Sequence, residues 1–509
     1  MSIFAEQYAR LQNGSDVRGI AMDGVEGEKI NLTPEIAGDI AAAFADWLAE
    51  RLKKPACQLT IGIGHDSRLS ADDMMAGAAS GLDARGCKVY NCGLSSTPSM
   101  FMATILDGFA YDGSIEITAS HLPFNRNGLK FFTGSGGLES SDIRELLKRA
   151  AAIRDEREAE GTVWLQKEPP MESADLVTAY AAHLRACICR ETGTNESARP
   201  LAGLHIVIDG SNGVGGFFRD VLEPLGADTS GSICMEPDGT FPVHIPNPED
   251  KEAIEAIRKA VLDNRADLGV IFDTDGDRAA VVFSDGEEVN RNAIIALMAA
   301  IVADEHPHTT VVTDSVTSDH LTEFLEQELH LKHHRFKRGY RNVINEAIRL
   351  NREGTETHLA IETSGHGALK ENYFLDDGAY MSVKVVARLA RCRMQGGKLE
   401  DSIRALGRPA ESAERRYTIK AADFKTYGTA FLNDFRAWAE EQETFHIVEP
   451  NYEGIRIGFR DDEVQGWLLM RMSLHDPVIP LNMEAEQTGG TEIIMRRLQP
   501  FLERYPEIV

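Results

Sequence analysis

The sequence predicts an α/β protein of several domains: three related α/β domains with mixed or parallel sheets, followed by a C-terminal α+β domain. Three observations predict this. The chain has 509 residues, and at roughly 100–200 residues per domain that length divides into three or four cores. Three segments share one plan, an apolar strand that ends in a polar turn with Asp and is followed by a helical pattern: LTIGIGHDSRLS (Leu59–Ser70), LHIVIDGSNGVGG (Leu204–Gly216) and TTVVTDSVTSDHL (Thr309–Leu321). The last hundred residues differ, with strand-like runs, YEGIRIGF and GWLLMRMSL, between helical segments near Asp423–Glu440 and Thr491–Tyr505.

Boundaries follow from the breaks between these patterns. A helical tract near Ala174–Cys189 runs into the polar stretch ETGTNESARP, which reads as a linker. Further breaks fall near HPHTT (His306–Thr310) and GRPAESAERR (Gly407–Arg416). The expected domains are therefore 1–199, 200–306, 307–409 and 410–509.

Composition narrows the function. Hydrophobic residues make up 43% and aromatics 7%, as in a soluble globular protein. No apolar run reaches the ~18–20 residues of a membrane helix, and MSIFAEQYARLQNG has no basic start leading into an apolar block, so no secretory signal is expected. Lys and Arg total 53 against 80 Asp and Glu, a net charge of −27. That balance argues against nucleic acid and anionic membrane as partners, since both demand basic faces. A small phosphorylated ligand needs only a few local arginines. The seven cysteines are scattered, and the C-x-C pair Cys187/Cys189 is neither zinc spacing nor a disulfide framework, so a reducing cytoplasm is expected.

Four stretches carry chemistry. In ITASHLPFNRNGLKFF (Ile117–Phe132) loop formers sit between apolar ends. The stretch is either a simple turn or a loop displaying Ser120 as a nucleophile, with His121 beside it and Lys130 further on. In DLGVIFDTDGDRAAVV the strand Leu268–Phe272 delivers Asp273, Asp275 and Asp277 at alternate positions. Three crowded carboxylates repel one another and call for a hard cation, Mg²⁺ or Ca²⁺. An EF-hand fails, because loop position six is Arg278 and position twelve is Ser284. Carboxylates that leave coordination positions open on Mg²⁺ suit a phosphate oxygen as the next ligand, and Arg278 can grip the same group. In LAIETSGHGALKENYFLDDGAY, Glu362, Ser364 and His366 alternate in a Gly-rich loop that either binds sugar hydroxyls or caps a helix. In LLMRMSLHDP, Arg471 and Ser473 stand two apart at a strand end and point the same way. Lys337 and Arg341 in RFKRGYRNV are further phosphate candidates or ordinary surface charges. Arg18 in GSDVRGIA either approaches a phosphate or pairs with Asp16.

Taken together these stretches resemble the α-D-phosphohexomutase family, which includes phosphomannomutase, phosphoglucomutase and phosphoglucosamine mutase. The resemblance runs in order through almost the whole chain: ITASHLPFNRNGLKFF is similar to the family's active-site serine loop, DTDGDR to its metal loop, ETSGH to its sugar-recognition loop and RMSLHDP to its phosphate loop. GHDSR, NGSDVRGI and PDGTFPVHIPNPE (Pro237–Glu249) also read like the family. The resemblance implies a heart-shaped, four-domain cytoplasmic enzyme around one cleft, with Ser120 as the phosphoserine. It implies one Mg²⁺ held by Asp273, Asp275, Asp277 and the serine phosphate. It implies phosphoryl transfer between the 1- and 6-positions of a hexose phosphate through a hexose 1,6-bisphosphate, which also serves as activator. Arg18, Lys130 and Arg278 would neutralise the moving charge. Lys130, ahead of His121, would handle the proton. Glu362, Ser364, His366, Lys337, Arg341, Arg471, Ser473 and His475 would hold the sugar and its second phosphate. Neither nucleic acid nor membrane is expected, and the chain is expected as monomer or homodimer.

The sequence departs from the family's pattern in places. Leu474 and His475 replace a small residue and a threonine in the phosphate loop, Asn482 stands where many members carry a basic residue, Arg341 stands where lysine or serine is usual, and LPFN replaces an NP pattern after His121. His475 and Arg456 are candidates to compensate. S-G-H after Glu362 favours phosphomannomutase/phosphoglucomutase. The alternatives are phosphoglucosamine mutase, a sugar bisphosphate synthase or phosphatase, and a non-catalytic phosphosugar binder.

Overall fold

The computed structural model describes residues 2–473 and 476–509. The chain divides into two compact units, residues 1–301 with 364–402, and residues 302–363 with 403–509.

The first unit opens with an eight-stranded mixed sheet. Strand Thr60–His65 pairs in parallel with Lys88–Leu94 and with Gly113–Ile117, while Arg126–Thr133 runs antiparallel to both Gly113–Ile117 and Asp16–Ile20. The helices Pro34–Leu52, Ala71–Asp83 and Ser140–Glu160 accompany it. Thr33 caps the first of these, accepting from Ile36 N–H, with Pro34 at the first helical position where a missing N–H costs nothing. The first two helices cross at glycine: a Cβ on Gly77 would stand 2.0 Å from Pro34 O, and one on Gly81 2.0 Å from Gly38 O. Alanines 41–43, Phe44, Ile61, Ile63 and Leu129 fill the core beneath.

A second sheet runs Glu288–Val289, Ala279–Phe283, Leu268–Phe272, Ile206–Asp209. Ile206–Asp209 and Leu268–Phe272 are parallel, and Leu268–Phe272 turns back antiparallel onto Ala279–Phe283 with Phe272 opposite Ala279. Residues 273–278 are thus a hairpin loop, and their strand has the bounds read from the sequence. The helix Lys251–Asn264, capped by Asp250, lays Ile254, Ile257 and Val261 on Val207, Ile271 and Val282. The unit also holds the hairpin Gly367–Leu369/Leu375–Asp376 and the helix Gly378–Met394.

In the second unit, Thr310–Thr313 lies between parallel strands Lys332–Arg335 and Thr357–Ile361, with the helix Tyr340–Arg352. The C-terminal part is an antiparallel sheet in the order Glu411–Thr418, Val478–Ala485, Gln465–Met470, Ile455–Arg460, His446–Ile447. The helices Phe424–Glu440 and Gly490–Leu502 bury Phe431, Phe435, Ile494 and Leu498 against Leu468 and Leu481. The expected order of three α/β domains and a C-terminal α+β domain is the order found. The strand Gln465–Met470 ends just before Arg471, and the backbone N–H groups of Arg471 and Ser473 continue its ladder, donating to Pro480 O at 3.2 Å and Val478 O at 2.9 Å. No helix among the described residues is long and apolar enough to cross a membrane.

Candidate active site

Ser120 sits in the loop between Gly113–Ile117 and Arg126–Thr133. Its φ is +50°, in the left-handed region that a residue with a Cβ occupies only when its surroundings hold it there. Those surroundings are explicit. Thr118 Oγ1 accepts the Ser120 N–H at 2.8 Å, and its own hydroxyl donates to Asp66 at 2.7 Å. The Arg68 guanidinium donates to the carbonyls of Ser120, Leu122 (2.7 Å), Pro123 (2.8 Å) and Arg126 (3.0 Å), and pairs with Asp66 at 3.1 Å. Both side chains of that pair are 0% exposed. A buried cation with this many carbonyl acceptors is a clamp on the loop, which gives GHDSR a role.

The hairpin 273–278 brings three carboxylates together. Asp273, Asp275 and Asp277 are all buried, and one oxygen from each lies within 4.8 Å of the others. Thr97 donates to Asp275 Oδ2 at 2.5 Å, and Lys130 Nζ donates to the same oxygen at 2.9 Å and to Asp277 Oδ2. The remaining oxygens, Asp275 Oδ1 and Asp277 Oδ1, are buried without a hydrogen-bond partner. Orphaned buried carboxylate oxygens in a cluster of this charge suit a hard divalent cation.

The two loops meet. Ser120 Oγ donates to Asp273 Oδ2 at 3.1 Å and receives Arg278 Nη2 at 3.3 Å. Arg278 also pairs with Asp273 at 2.9 Å and donates to Asn247 at 3.2 Å. His121 Nδ1 is 3.3 Å from the same hydroxyl. Arg18 pairs with Asp16 at 2.8 Å and donates to the Thr118 carbonyl, so it borders the serine loop while keeping its acidic partner. His366 Nδ1 lies 2.5 Å from Asp376 and 3.9 Å from Asp277.

Charge states follow from these contacts. Burial, with Arg278, His366 and Arg18 around it, drives His121 down to about 2, so its ring is neutral. Burial works against the charge on His366, yet Asp376 and Asp277 prevail and raise it to about 9. Burial likewise opposes the Lys130 ammonium, but Asp275 and Asp277 hold its pKa well above the ordinary lysine value. Lys130 is a cation here, placed between two carboxylates.

In the second unit, Glu362 Oε1 accepts the Gly339 N–H at 2.6 Å, and Thr363 donates to Asp314 at 2.8 Å. Arg338 donates its backbone N–H to Glu453 at 3.2 Å, and its Nε is 3.9 Å from Asp314. Arg471 is 7% exposed and its Nε has no partner. Ser473 Oγ accepts the Asp476 N–H at 3.3 Å. Lys337 is exposed and Arg341 half-buried. Leu474 and His475 lie outside the described residues.

Known proteins with this combination can now be compared. Three family descriptions match in order: phosphoglucomutase/phosphomannomutase alpha/beta/alpha domain I at residues 9–158, domain II at 178–286 and domain III at 290–407. The chain belongs to the α-D-phosphohexomutase family. It is 28% identical to a phosphoglucomutase of Neisseria gonorrhoeae over 97% of each chain. It is 27% identical to a phosphomannomutase/phosphoglucomutase of Pseudomonas aeruginosa over 96% of this chain and 94% of that one. The fold matches a crystal structure of a phosphoglucomutase/phosphomannomutase family protein from Burkholderia thailandensis with a TM-score of 0.76, 24% identity and 99% coverage of both chains.

For a phosphohexomutase, the residues picked out by motif fall into two groups. Ser120, His121, Lys130, Asp273, Asp275, Asp277, Arg278 and His366 gather at the serine and metal loops, with Arg18 alongside. Glu362, Lys337, Arg341, Arg471 and Ser473 belong to the second unit. Ser364 is 8% exposed, in the first unit. Arg456 is not available as a spare phosphate ligand. It is 2% exposed, stacks 3.7 Å over Trp467, and spends its guanidinium on the carbonyls of Ser315 and Thr317 and on Asp319. Thr97, Arg68, Asn247 and Arg338 were missed by sequence reasoning. Arg68 had a visible signal in GHDSR, and Arg338 sat between the two basic residues chosen in RFKRGYR.

Proposed function

We propose that the protein moves a phosphoryl group between the 1- and 6-positions of a hexose monophosphate, as a phosphomannomutase/phosphoglucomutase, through a phosphoserine at Ser120 and a hexose 1,6-bisphosphate intermediate. The observation that carries the proposal is the Ser120 hydroxyl, held at a left-handed backbone position 3.1 Å from Asp273 and 3.3 Å from Arg278.

In this reading the free hydroxyl of the bound sugar attacks the Ser120 phosphate, and the P–O bond to serine breaks as the new P–O bond forms. The bisphosphate then turns over, and its other phosphoryl group returns to Ser120. Asp273, Asp275 and Asp277 with the serine phosphate would hold Mg²⁺, which supplies positive charge against the phosphoryl oxygens. Arg278, already bonded to both Asp273 and Ser120, follows that charge from ground state to transition state. Lys130 acts as a fixed cation. Neutral His121 stands next to Ser120 Oγ, and the proton that leaves the attacking hydroxyl ends on Ser120 Oγ as its P–O bond breaks. Arg471, Ser473 and Arg338 take the phosphate that is not reacting, and Glu362 and Ser364 take sugar hydroxyls.

The test is a coupled assay with Mg²⁺ and a trace of hexose 1,6-bisphosphate, offering mannose 1-phosphate, glucose 1-phosphate and glucosamine 1-phosphate side by side. Comparable turnover of the first two supports the reading. Turnover of glucosamine 1-phosphate alone moves the protein to the amino-sugar branch, and turnover of none contradicts the proposal.

A further inference from the structure

A cluster of metal-ligating side chains that includes a thiol lies in the first unit, on the strand beside the one that leads into Asp273. Asp209 ends the strand Ile206–Asp209, and Cys234 and His244 belong to the long connection that follows. One donor atom from each lies within 4.8 Å of the others. His244 Nε2 is 2.9 Å from Asp209 Oδ2 and 3.8 Å from Cys234 Sγ. Around a tetrahedral zinc ion with ordinary bond lengths, nitrogen and oxygen stand roughly 3.3 Å apart and nitrogen and sulfur roughly 3.6 Å. His244 Nε2 is therefore within a few tenths of an ångström of the spacing it would need from each of the other two donors.

The surroundings favour a ligand set over a chance meeting. His244 Nδ1 is 2.9 Å from the Ile245 carbonyl. That bond fixes the Nδ1–H tautomer and leaves Nε2 facing the other two donors, the arrangement that orients histidine ligands in metal sites. The backbone is tied down on both sides: Ile233 N–H donates to Ile208 O at 2.8 Å, and Asn212 N–H donates to Cys234 O at 2.9 Å. Asp209 is fully buried and His244 is 6% exposed, whereas Cys234 is half-exposed and leaves an entry path. All seven cysteines are free thiols.

We infer that Asp209, Cys234 and His244 form a site for a thiophilic divalent ion, Zn²⁺ in the first instance, distinct from the all-oxygen aspartate cluster. A carboxylate, a thiolate and an imidazole suit zinc, while Mg²⁺ prefers oxygen throughout. Three protein ligands leave the fourth position to water. Zinc takes the place of the proton on His244 Nε2 and of the Cys234 thiol proton, both released to solvent, and Asp209 enters as the carboxylate. The bound ion would tie the 234–247 connection to its strand, and that connection carries Asn247, the partner of Arg278 at 3.2 Å.

Cobalt is the probe, because a Co²⁺–thiolate bond gives a near-ultraviolet charge-transfer band that oxygen ligands cannot give. The full-length protein, saturated with Mg²⁺, is titrated with Co²⁺ and then with Zn²⁺, alongside Cys234→Ser and a control, Cys57→Ser, at an exposed cysteine. The expected result is one equivalent bound with the thiolate band in the wild type and in Cys57→Ser, displaced by Zn²⁺, with band and equivalent both lost in Cys234→Ser. Circular dichroism shows whether Cys234→Ser keeps the fold. If it does not, iodoacetamide labelling decides: bound zinc should slow alkylation of Cys234 at least tenfold without slowing that of Cys57. No band, a band unchanged in Cys234→Ser, or an alkylation rate indifferent to zinc overturns the inference. Failure here leaves the mutase reading untouched, since no residue of the three belongs to the serine or aspartate loops.

Discussion

Ser120 Oγ donates to Asp273 Oδ2 at 3.1 Å across 153 positions of sequence. That one contact joins the two loops on which the proposed chemistry depends. Replacing Ser120 with Ala removes the phosphoryl carrier and leaves the metal cluster intact. Turnover should fall below detection in the coupled assay, with Mg²⁺ binding retained by calorimetry. Retained turnover would remove Ser120 from the mechanism.

Lys130 lies between Asp275 and Asp277, at 2.9 Å from the first, and so both lowers the cluster's negative charge and competes for its oxygens. Lys130→Met should therefore separate two effects. kcat should drop by about 100- to 1,000-fold through loss of a preorganised cation. Divalent metal should bind at least as tightly as in the wild type, because one competing charge is gone. Weaker Mg²⁺ binding in a calorimetric titration would contradict this account.

Arg68 holds the serine loop through its carbonyls and not through any reacting atom. Arg68→Ala strands Asp66 as an unpaired buried carboxylate and leaves those carbonyls without donors, a loss of ~3–5 kcal/mol. Lys in its place cannot span the same acceptors. Both variants should lower the midpoint of urea unfolding, and the amides of residues 120–126 should exchange faster. Protection unchanged in that loop would mean the clamp is not needed.

Glu116 is fully buried beside this site, opposite Lys130 in strand register, and neither of its carboxylate oxygens has a partner. Burial, with Asp66 and Asp275 nearby, raises its pKa well above the ordinary glutamate value. The folded-state pKa is above the unfolded one, so the group destabilises the fold once pH rises past the unfolded pKa, and increasingly until the folded pKa is reached. Glu116→Met should thus stabilise the protein by about 1–3 kcal/mol at pH 8 and by less at pH 5. Thermal unfolding at the two pH values measures the difference, and a variant no more stable at pH 8 than the wild type contradicts it.

Removing divalent metal with a chelator should abolish turnover, and added Mg²⁺ should restore it. Asp277→Asn, which takes one charge from a cluster with orphaned oxygens on Asp275 and Asp277, should raise the Mg²⁺ concentration needed for half-maximal rate at least tenfold. An unshifted Mg²⁺ dependence would place the metal elsewhere.

The sequence made some of this legible and hid the rest for identifiable reasons. Asp273, Asp275 and Asp277 could be read because three carboxylates within five residues force the question of a cation wherever the chain goes. Loop formers between apolar strands drew attention to Ser120 and Lys130 but left a simple turn open, and only the family resemblance implied their roles. Arg68 and Thr97 could not be assigned a role, since their partners are carbonyls and a carboxylate supplied by distant segments. Nothing in the local sequence marks Glu116 as buried, yet every residue of Gly113–Ile117 is. Arg456 looked like a free cation beside the phosphate loop, and the structure instead gives it Trp467 and two backbone carbonyls. The repeated strand-end aspartates carried more than fold class. Asp66 anchors Thr118, two residues before Ser120, and Asp314 anchors Thr363, one residue before Ser364. The same turn thus braces a loop that carries a candidate residue in two of the repeats.

The most direct test of the central claim is to incubate the protein with glucose 1,6-bisphosphate carrying radiolabelled phosphate, and to map the label by peptide sequencing. The account predicts label on Ser120 alone, lost from the protein and recovered in hexose bisphosphate when unlabelled glucose 1-phosphate or mannose 1-phosphate is added. Label on another residue, or label on Ser120 that no hexose monophosphate removes, would contradict it.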